Sequence, residues 1–165
     1  MIELAVKREV PDGVYPLLRV FEGFDRSPAI EKIFPGGEPA LDGVMLKIGP
    51  SPKYMRVMQD DGCIHIGRHY LRTGDLLHLY LDLIHEVVHV RQQREGRALY
   101  DMRFRYIDRP TELEAMTITV EEARRCGMEE GEIIDYLKVP WITADEHREL
   151  VLRLGLPSPE GREAR

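Results

Sequence analysis

The sequence has few cysteines, no basic cluster and no excess of positive charge, and each shortage argues against a class of protein. Cys63 and Cys126 are the two cysteines of the 165-residue chain, and they stand far apart. They form neither a CxxC pair nor a disulfide framework, so we interpret them as reduced core residues. A net charge of −6 provides no electrostatic basis for binding nucleic acid.

An uninterrupted apolar run of membrane length is also missing. The longest apolar stretch is interrupted by His78, Asp82, His85 and Glu86, so it does not predict a membrane span. The opening residues, MIELAVKREV, carry charges throughout and lack the apolar centre of a secretory signal. We therefore expect a cytoplasmic protein with neither nucleic acid nor membrane as a partner, and the sequence leaves its oligomeric state open.

The composition is that of an ordinary globular domain. Hydrophobic residues make up 43% of the chain and charged residues 32%, and the length suits one domain with one core. We expect a single domain over residues 1–156. The remaining residues, 157–165, read PSPEGREAR and predict a flexible C-terminal tail.

The most informative stretch is residues 76–95, LLHLYLDLIHEVVHVRQQRE, which predicts one long helix. Asp75 is a suitable N-cap because its carboxylate can accept a hydrogen bond from a free backbone N–H, and Gly96 suits the turn that ends a helix. The first fifteen or so residues are apolar almost all round, which is typical of a buried helix and not of an amphipathic surface helix.

Polar residues within a buried helix are costly unless they are paired, and this helix contains the pattern His-Glu-Val-Val-His. His85 and His89 are four residues apart, so they lie on one helix face with Cβ atoms about 5–6 Å apart and can bind one tetrahedral metal ion. Glu86 lies beside them, where it can hold a water in the open coordination position and take its proton. The alternative is two core histidines and a glutamate that is ion-paired elsewhere.

The surrounding pattern predicts an α+β fold. Residues 44–48, 54–59 and 63–67 predict three strands separated by turns, most simply assembled as an antiparallel meander. Residues 14–24 carry apolar side chains at helical spacing and predict a helix. Further helices are predicted at 111–125, 129–137 and 144–154, the last with a capping box from Thr143 and Glu146.

A catalytic zinc site has three protein ligands and one open position, so a third ligand must come from outside the long helix. Glu112 and Glu114, in Arg-Pro-Thr-Glu-Leu-Glu-Ala, are the candidates. Residues two apart on a helix point in nearly opposite directions, so only one of the two can face the metal. The helical pattern alone leaves both open. Glu95 is a further formal candidate.

The His-Glu-Val-Val-His motif, followed about two dozen residues later by Glu114-Ala115, resembles the gluzincin group of zinc metallopeptidases, which are thermolysin-like zincins. The resemblance covers roughly residues 63–125. It implies a zincin-like fold, with a small antiparallel sheet packed on the zinc-binding helix and further helices C-terminal. It also implies that His85, His89 and Glu114 bind Zn²⁺ and that Glu86 is the catalytic general base.

The sequence also departs from that group. Ile118 stands where thermolysin-like enzymes carry an aspartate that orients the first zinc histidine, and Asp82 or Thr117 could take its place. A donor for the oxyanion is also needed, and the sequence does not select one. The candidates are Tyr106, Arg105, Arg109, Tyr136 and His147. Trp141 is expected to be a core plug beneath the last helix.

The predicted function is therefore a zinc-dependent metallopeptidase acting on a peptide or protein substrate, in which Glu86 activates a water for attack on the peptide bond. One alternative is a zinc-binding regulatory or structural domain without proteolytic activity of its own. Another is an interaction module that binds no metal. Hydrolysis of a non-peptide bond would use the same metal chemistry and is not separated from peptide hydrolysis by the sequence.

Overall fold

A computed structural model describes residues 3–35 and 40–159, which form an α+β fold. Across these residues the strands are β1 to β6, at Ala5–Val6, Gly13–Pro16, Phe21–Glu22, Met45–Gly49, Met55–Val57 and Ile64–Gly67. The helices are α1 to α7, at Leu17–Val20, Pro28–Ile33, Arg68–Thr73, Leu76–Arg94, Pro110–Arg125, Glu130–Tyr136 and Ala144–Arg153. Short 3₁₀ turns lie at Phe24–Arg26 and Tyr106–Asp108. The predicted α+β class is confirmed.

The main sheet is mixed, so the predicted antiparallel meander is wrong. Its strand order is β2-β4-β6-β5, and β4 runs parallel to β6 while the other pairs are antiparallel. β6 lies inside the sheet, paired with β4 on one side and β5 on the other, and its Ile64 and Ile66 are fully buried. β5 takes the edge, where its exposed Arg56 can reach solvent. The third strand therefore lies between the two strands that precede it.

The helix predicted over residues 14–24 is also wrong for most of its length. Residues 13–16 form β2, residues 17–20 form the single turn α1, and β3 pairs with β1. Leu17, Phe21 and Phe24 are buried, as helical spacing suggests. Helix α1 ends at Val20 because the next residues pair with β1 as β3, and the chain then turns at Gly23, whose φ of 91° lies in the left-handed region that favours glycine.

The long helix α4 forms as predicted. The Asp75 side chain accepts a hydrogen bond from the His78 backbone N–H (3.1 Å), and the chain leaves the helix at Gly96, with φ of 77°. The side chains of Leu83, Ile84, Val87 and Val88 are fully buried, along with much of the rest of the helix. α4 is thus the central element of the core, with the sheet on one side and α5 packed against it.

The C-terminal helices also agree with the prediction. The capping box of α7 is present, because Thr143 and Glu146 each bond to the other's backbone N–H, at 3.1 Å. Within the described residues no helix is long and apolar enough to cross a membrane. Most of the predicted tail, residues 160–165, lies outside the described residues.

Candidate metal centre

Two helices bring together three side chains that could hold a metal ion. His85 and His89 come from the middle of α4, and Glu112 comes from the first turn of α5. The His85 Nε2 lies 3.0 Å from Glu112 Oε2, the His89 Nε2 lies 3.3 Å from Glu112 Oε1, and the two Nε2 atoms are 3.1 Å apart. All the potential ligand atoms lie within 4.8 Å of one another.

The donor set fits a metal ion. Two imidazole nitrogens and one carboxylate are the three protein ligands found in one class of catalytic zinc sites, which keeps a fourth position open. His89 and Glu112 are buried, whereas the His85 side chain is 16% exposed, so one side of the group remains accessible. These residues form a candidate His-His-Glu metal site.

The charges in this group depend strongly on one another. Burial acts to lower the pKa of His85, but the hydrogen bond and the charge of Glu112 outweigh it and raise the pKa to about 9. Burial opposes ionisation of Glu112, yet hydrogen bonds from His85 and His89 hold the pKa of its carboxyl well below the usual range. A buried carboxylate is therefore stabilised by the positive charge or hydrogen-bond donors of the two imidazoles.

Glu86 lies beside the group and is fixed by the sheet. Its Oε2 accepts a hydrogen bond from the backbone N–H of Val57 in β5, at 3.1 Å. No hydrogen bond from the described residues reaches its other oxygen, Oε1. Burial raises the pKa of the Glu86 carboxyl to about 7, although the charges of His89 and His85 act to lower it.

The structure places Glu112, and not Glu114, with the two histidines. Glu114 contacts Arg91 and accepts a hydrogen bond from Arg97, at 3.1 Å, on the other side of α5. The sequence contained a signal for Glu112: it lies four residues before Met116, which belongs to the buried stripe of α5. That spacing puts Glu112 on the buried side of α5, and the rotation of α5 against α4 brings it to the histidines.

Glu95, the further candidate, is likewise engaged elsewhere. Its carboxylate pairs with Arg91 at 3.2 Å, one turn earlier on α4. It is not part of the His-His-Glu group.

Gln92 was not singled out by the sequence, yet it holds one of the histidines. It is fully buried, and its Oε1 lies 2.7 Å from His89 Nδ1. Its Nε2 donates to the Thr111 carbonyl at 3.0 Å and to Glu114 Oε1 at 3.3 Å. With Gln92 oriented in this way, His89 donates from Nδ1, and its Nε2 is left to face Glu112. A polar residue one turn after His89 on a buried helix was the available signal.

The two residues proposed to orient His85 have other partners. Asp82 accepts hydrogen bonds from the hydroxyl groups of Tyr70 and Tyr136. Thr117 donates to the Leu113 carbonyl of its own helix at 2.7 Å. Neither makes a hydrogen bond to His85 in the described structure.

A cavity of about 320 Å³ opens beside the group, and His85 and Glu86 line it. Tyr106 and Tyr136 also line it, so two of the five candidate oxyanion donors lie within reach of this space. Trp141 lies at the cavity as well and is 56% exposed. It is not the core plug expected from the sequence, because the connection between α6 and α7 carries it over the surface.

The other three candidate donors are held by contacts of their own. Arg105 is paired with Asp108 and Glu149. Arg109 donates to the Asp101 carbonyl at 3.3 Å. The remaining candidate, His147, has its Nε2 at 2.8 Å from the Ile134 carbonyl.

Comparison with protein-family models, with curated proteins and with solved structures finds no match to this chain.

Proposed function

We propose that the protein is a zinc-dependent metallopeptidase of zincin-like architecture, in which His85, His89 and Glu112 hold the ion and Glu86 is the general base. The observation that carries the proposal is the convergence of the three ligand atoms next to Glu86, at the edge of a cavity. A bound zinc ion would supply Lewis acidity, which polarises a carbonyl and lowers the pKa of water to about 7.

The chain's own residues would then handle the proton. Glu86 is held by Val57 through one oxygen, which leaves the other oxygen to accept a proton from the attacking water. The same carboxyl returns that proton to the leaving amine. Two features favour an open catalytic position over a closed structural site: the three-ligand donor set and the access to the cavity beside His85.

The edge strand supports a peptide as the substrate. On either side of β5, the Tyr54 carbonyl accepts from the Gly67 N–H of β6 and the Met58 N–H donates to the Cys63 carbonyl. In this alternation Met55 and Val57 direct their backbone groups away from β6. The Val57 groups are occupied, because its N–H bonds Glu86 and its carbonyl accepts from Tyr100 at 2.5 Å. Met55 lines the cavity, so its backbone can pair with an extended substrate that adds to the sheet edge.

Tyr106 is the preferred donor for the oxyanion. It lines the cavity, and burial together with the charges of Glu112 and Glu86 raises its pKa well above the usual value. The hydroxyl therefore keeps its proton and can donate it in a hydrogen bond. Tyr136 lines the same cavity, but its hydroxyl already donates to Asp82 at 2.5 Å.

The test combines metal content with turnover. Wild type, His89→Ala and Glu86→Gln are purified without added metal, checked for folding by circular dichroism and analysed for elements. We expect about one zinc per chain in wild type and Glu86→Gln, and none in His89→Ala. Mass spectrometry then follows cleavage of a mixed peptide library, and Glu86→Gln is expected to lose at least about 100-fold in rate.

The other outcomes are also decisive. Zinc bound by wild type without any cleavage would favour the metal-binding regulatory or structural domain. Equal rates of cleavage by wild type and Glu86→Gln would contradict the proposal that Glu86 is the general base. Absence of metal from the wild type, with no binding of added zinc, would contradict the proposal as a whole.

A further inference from the structure

The main sheet has one face in the core and one face towards solvent. The core face carries aliphatic side chains that are at most 1% exposed: Leu46, Ile48, Val57, Ile64 and Ile66. Successive side chains of a strand point to opposite faces, so the residues between these lie on the other face, which we call the outer face. Its most polar members come from the three neighbouring strands β4, β6 and β5.

Three basic side chains form a row across the outer face. The register pairs Lys47 of β4 with His65 of β6, and pairs His65 in turn with Arg56 of β5. Paired residues of neighbouring strands lie side by side on one face. Since strands are about 4.8 Å apart, the three residues lie within about 10 Å. Lys47 and Arg56 are exposed and His65 is half-buried, and we call the three the basic row.

The basic row lacks acidic partners. In the part of the chain that the structure describes, neither Lys47 nor Arg56 takes part in an ion pair. The Arg56 guanidinium lies over the ring of Tyr100 instead, 4.2 Å from its centroid. Like charges directly opposite each other on neighbouring strands destabilise a sheet. The row therefore carries an electrostatic cost that a bound anion would offset.

His65, in the middle of the row, responds to this uncompensated charge. Burial and then the charge of Lys47 lower the pKa of His65, whereas the charges of Asp61 and Asp60 act to raise it. Both aspartates already accept a backbone N–H of the turn before β6. Negative charge placed over the row would favour the protonated imidazole and raise the pKa of His65.

The shape of the row and the overall charge favour an extended acidic peptide. A flat row over three strands does not converge on one small anion. A chain of net charge −6 with three basic residues in the row also falls short of the about 6–10 phosphate contacts of salt-sensitive DNA binding. Alternate side chains of an extended peptide project to one side about 7 Å apart, so successive acidic side chains can follow the row.

An apolar residue continues the row at its β4 end. Val14 of β2 is paired with Lys47 and therefore lies on the outer face. It is 55% exposed, although β2 is otherwise an ordinary edge strand. An apolar side chain of a bound peptide would cover it, which removes apolar area from water.

We propose that the basic row, together with Val14, is a docking surface for an extended acidic segment of a partner protein. Alternate Asp or Glu side chains of that segment pair with the row, and an apolar residue packs on Val14. The sheet separates this surface from α4 and Glu86, so the inference does not depend on the proposed peptidase function. Because the contacts are exposed, added salt weakens the binding.

A labelled acidic peptide measures the binding directly. Rhodamine-labelled Val-Ser-Glu-Ser-Glu-Ser-Glu-amide is titrated with zinc-loaded Glu86→Gln, in which hydrolysis of the probe is not expected, and its fluorescence anisotropy is followed. The control peptide has Gln in place of each Glu. We expect saturable binding of the Glu peptide at least about 10-fold tighter than that of the Gln peptide, with a difference that shrinks in salt.

Two double variants with the same change of net charge test the location. Lys47→Glu with Arg56→Glu reverses both ends of the row and is expected to weaken binding at least about 10-fold. Lys7→Glu with Arg19→Glu is the control, since both residues are exposed outside the row. Arg19 also lies over a tyrosine ring, 5.9 Å from the centroid of Tyr15. The control is expected to keep most of the affinity, and circular dichroism checks that both variants fold.

Proton NMR of His65 tests the site without altering the row. Its signal is assigned by comparison with His65→Gln, and its pKa is measured with and without saturating unlabelled peptide. We expect the Glu peptide to raise the pKa of His65, because carboxylates would then lie over the row. The Gln peptide is expected to leave this pKa unchanged.

Each contrary result would overturn the docking surface. An equal loss of affinity in the two double variants would mean that net charge alone attracts the peptide, and an unchanged His65 would place the peptide elsewhere. Inorganic phosphate that raises the pKa of His65 as much as the peptide would indicate a small-anion site. Tighter binding of a single-stranded oligonucleotide would indicate nucleic acid. Docking of the peptide with no cleavage of any peptide by wild type would support this surface and contradict the peptidase alone.

Discussion

Among single residues, Glu112 is the one whose burial most requires compensation by its neighbours. It is a carboxylate only 4% exposed, in the first turn of a helix. Burying an ion costs several kcal/mol unless an opposite charge or hydrogen-bond donors compensate it. Here the imidazoles of His85 and His89 compensate the charge, with their Nε2 atoms 3.0 and 3.3 Å from the Glu112 carboxylate. Such a buried cluster of one carboxylate and two imidazoles is readily explained if the three bind a cation.

The two glutamates of α5 allow the third ligand to be tested with isosteric substitutions. Glu112→Gln is expected to weaken zinc binding more than about 100-fold, because a neutral amide replaces a charged ligand. This loss exceeds the one caused by replacing a residue that only orients a ligand. Glu114→Gln is expected to keep wild-type affinity, because Glu114 pairs with Arg91 and Arg97. Competition with a chromophoric chelator measures both. The reverse order would restore Glu114 as the ligand.

Gln92 is expected to act on the metal through His89. Gln92→Leu removes the acceptor for His89 Nδ1 and should lower zinc affinity about 10–100-fold. Gln92→Glu keeps this acceptor but loses the donors to Thr111 and Glu114, so it should recover only part of the affinity lost in Gln92→Leu. Nitrogen-15 NMR of the histidine rings distinguishes orientation from mere destabilisation, since only Gln92→Leu should change the His89 tautomer. Equal affinity in all three proteins would contradict this role.

At the scale of elements, α4 and β5 together position His85, Glu86 and His89. α4 provides His85, Glu86 and His89, and its burial makes the backbone a rigid support. β5 bonds Glu86 through the Val57 N–H. A shift of β5 against α4 would break the hydrogen bond that holds the Glu86 side chain. The stability of α4 is therefore expected to affect both folding and the site.

The N-cap of α4 provides a direct measure of that stability. Asp75→Ala removes the acceptor for the His78 N–H and is expected to cost about 1 kcal/mol in the free energy of unfolding. Asp75→Asn retains an acceptor and should cost much less. Urea denaturation followed by circular dichroism checks both values. Equal stability of Asp75→Ala and the wild type would show that the cap contributes nothing.

On the scale of the whole molecule, a metal bridging α4 and α5 should stabilise the fold. A ligand that binds only the folded state at 100 times its Kd adds about 2.7 kcal/mol to the free energy of unfolding. For a chain of this size, that corresponds to a rise in Tm of about 5–11 °C. Differential scanning calorimetry with and without zinc measures the shift.

Two variants control this experiment. Glu86→Gln is expected to show the same rise in Tm as the wild type, because Glu86 is not among the three grouped ligands. His85→Ala is expected to show almost none. A rise of equal size in His85→Ala would mean that zinc binds elsewhere on the chain.

Features that depend on neighbouring residues could be predicted from the sequence. The caps at Asp75 and Thr143, the burial of α4 and the pairing of His85 with His89 on one face all follow from contacts within one helical turn. The same holds for α5, α6 and α7, whose bounds agree with the sequence to within a residue or two. Local hydrogen bonds and helical spacing are sufficient to specify these features.

Features that join distant segments were decided by the tertiary structure. The place of β6 between β4 and β5 depends on pairing between segments far apart in the chain, and no local pattern orders the strands. The choice of Glu112 over Glu114 depends on how α5 is rotated against α4. The position of Trp141 beside Tyr106 depends on the packing of α7. Rotation and strand order are set by the packing of the whole core, so helical spacing alone could not provide them.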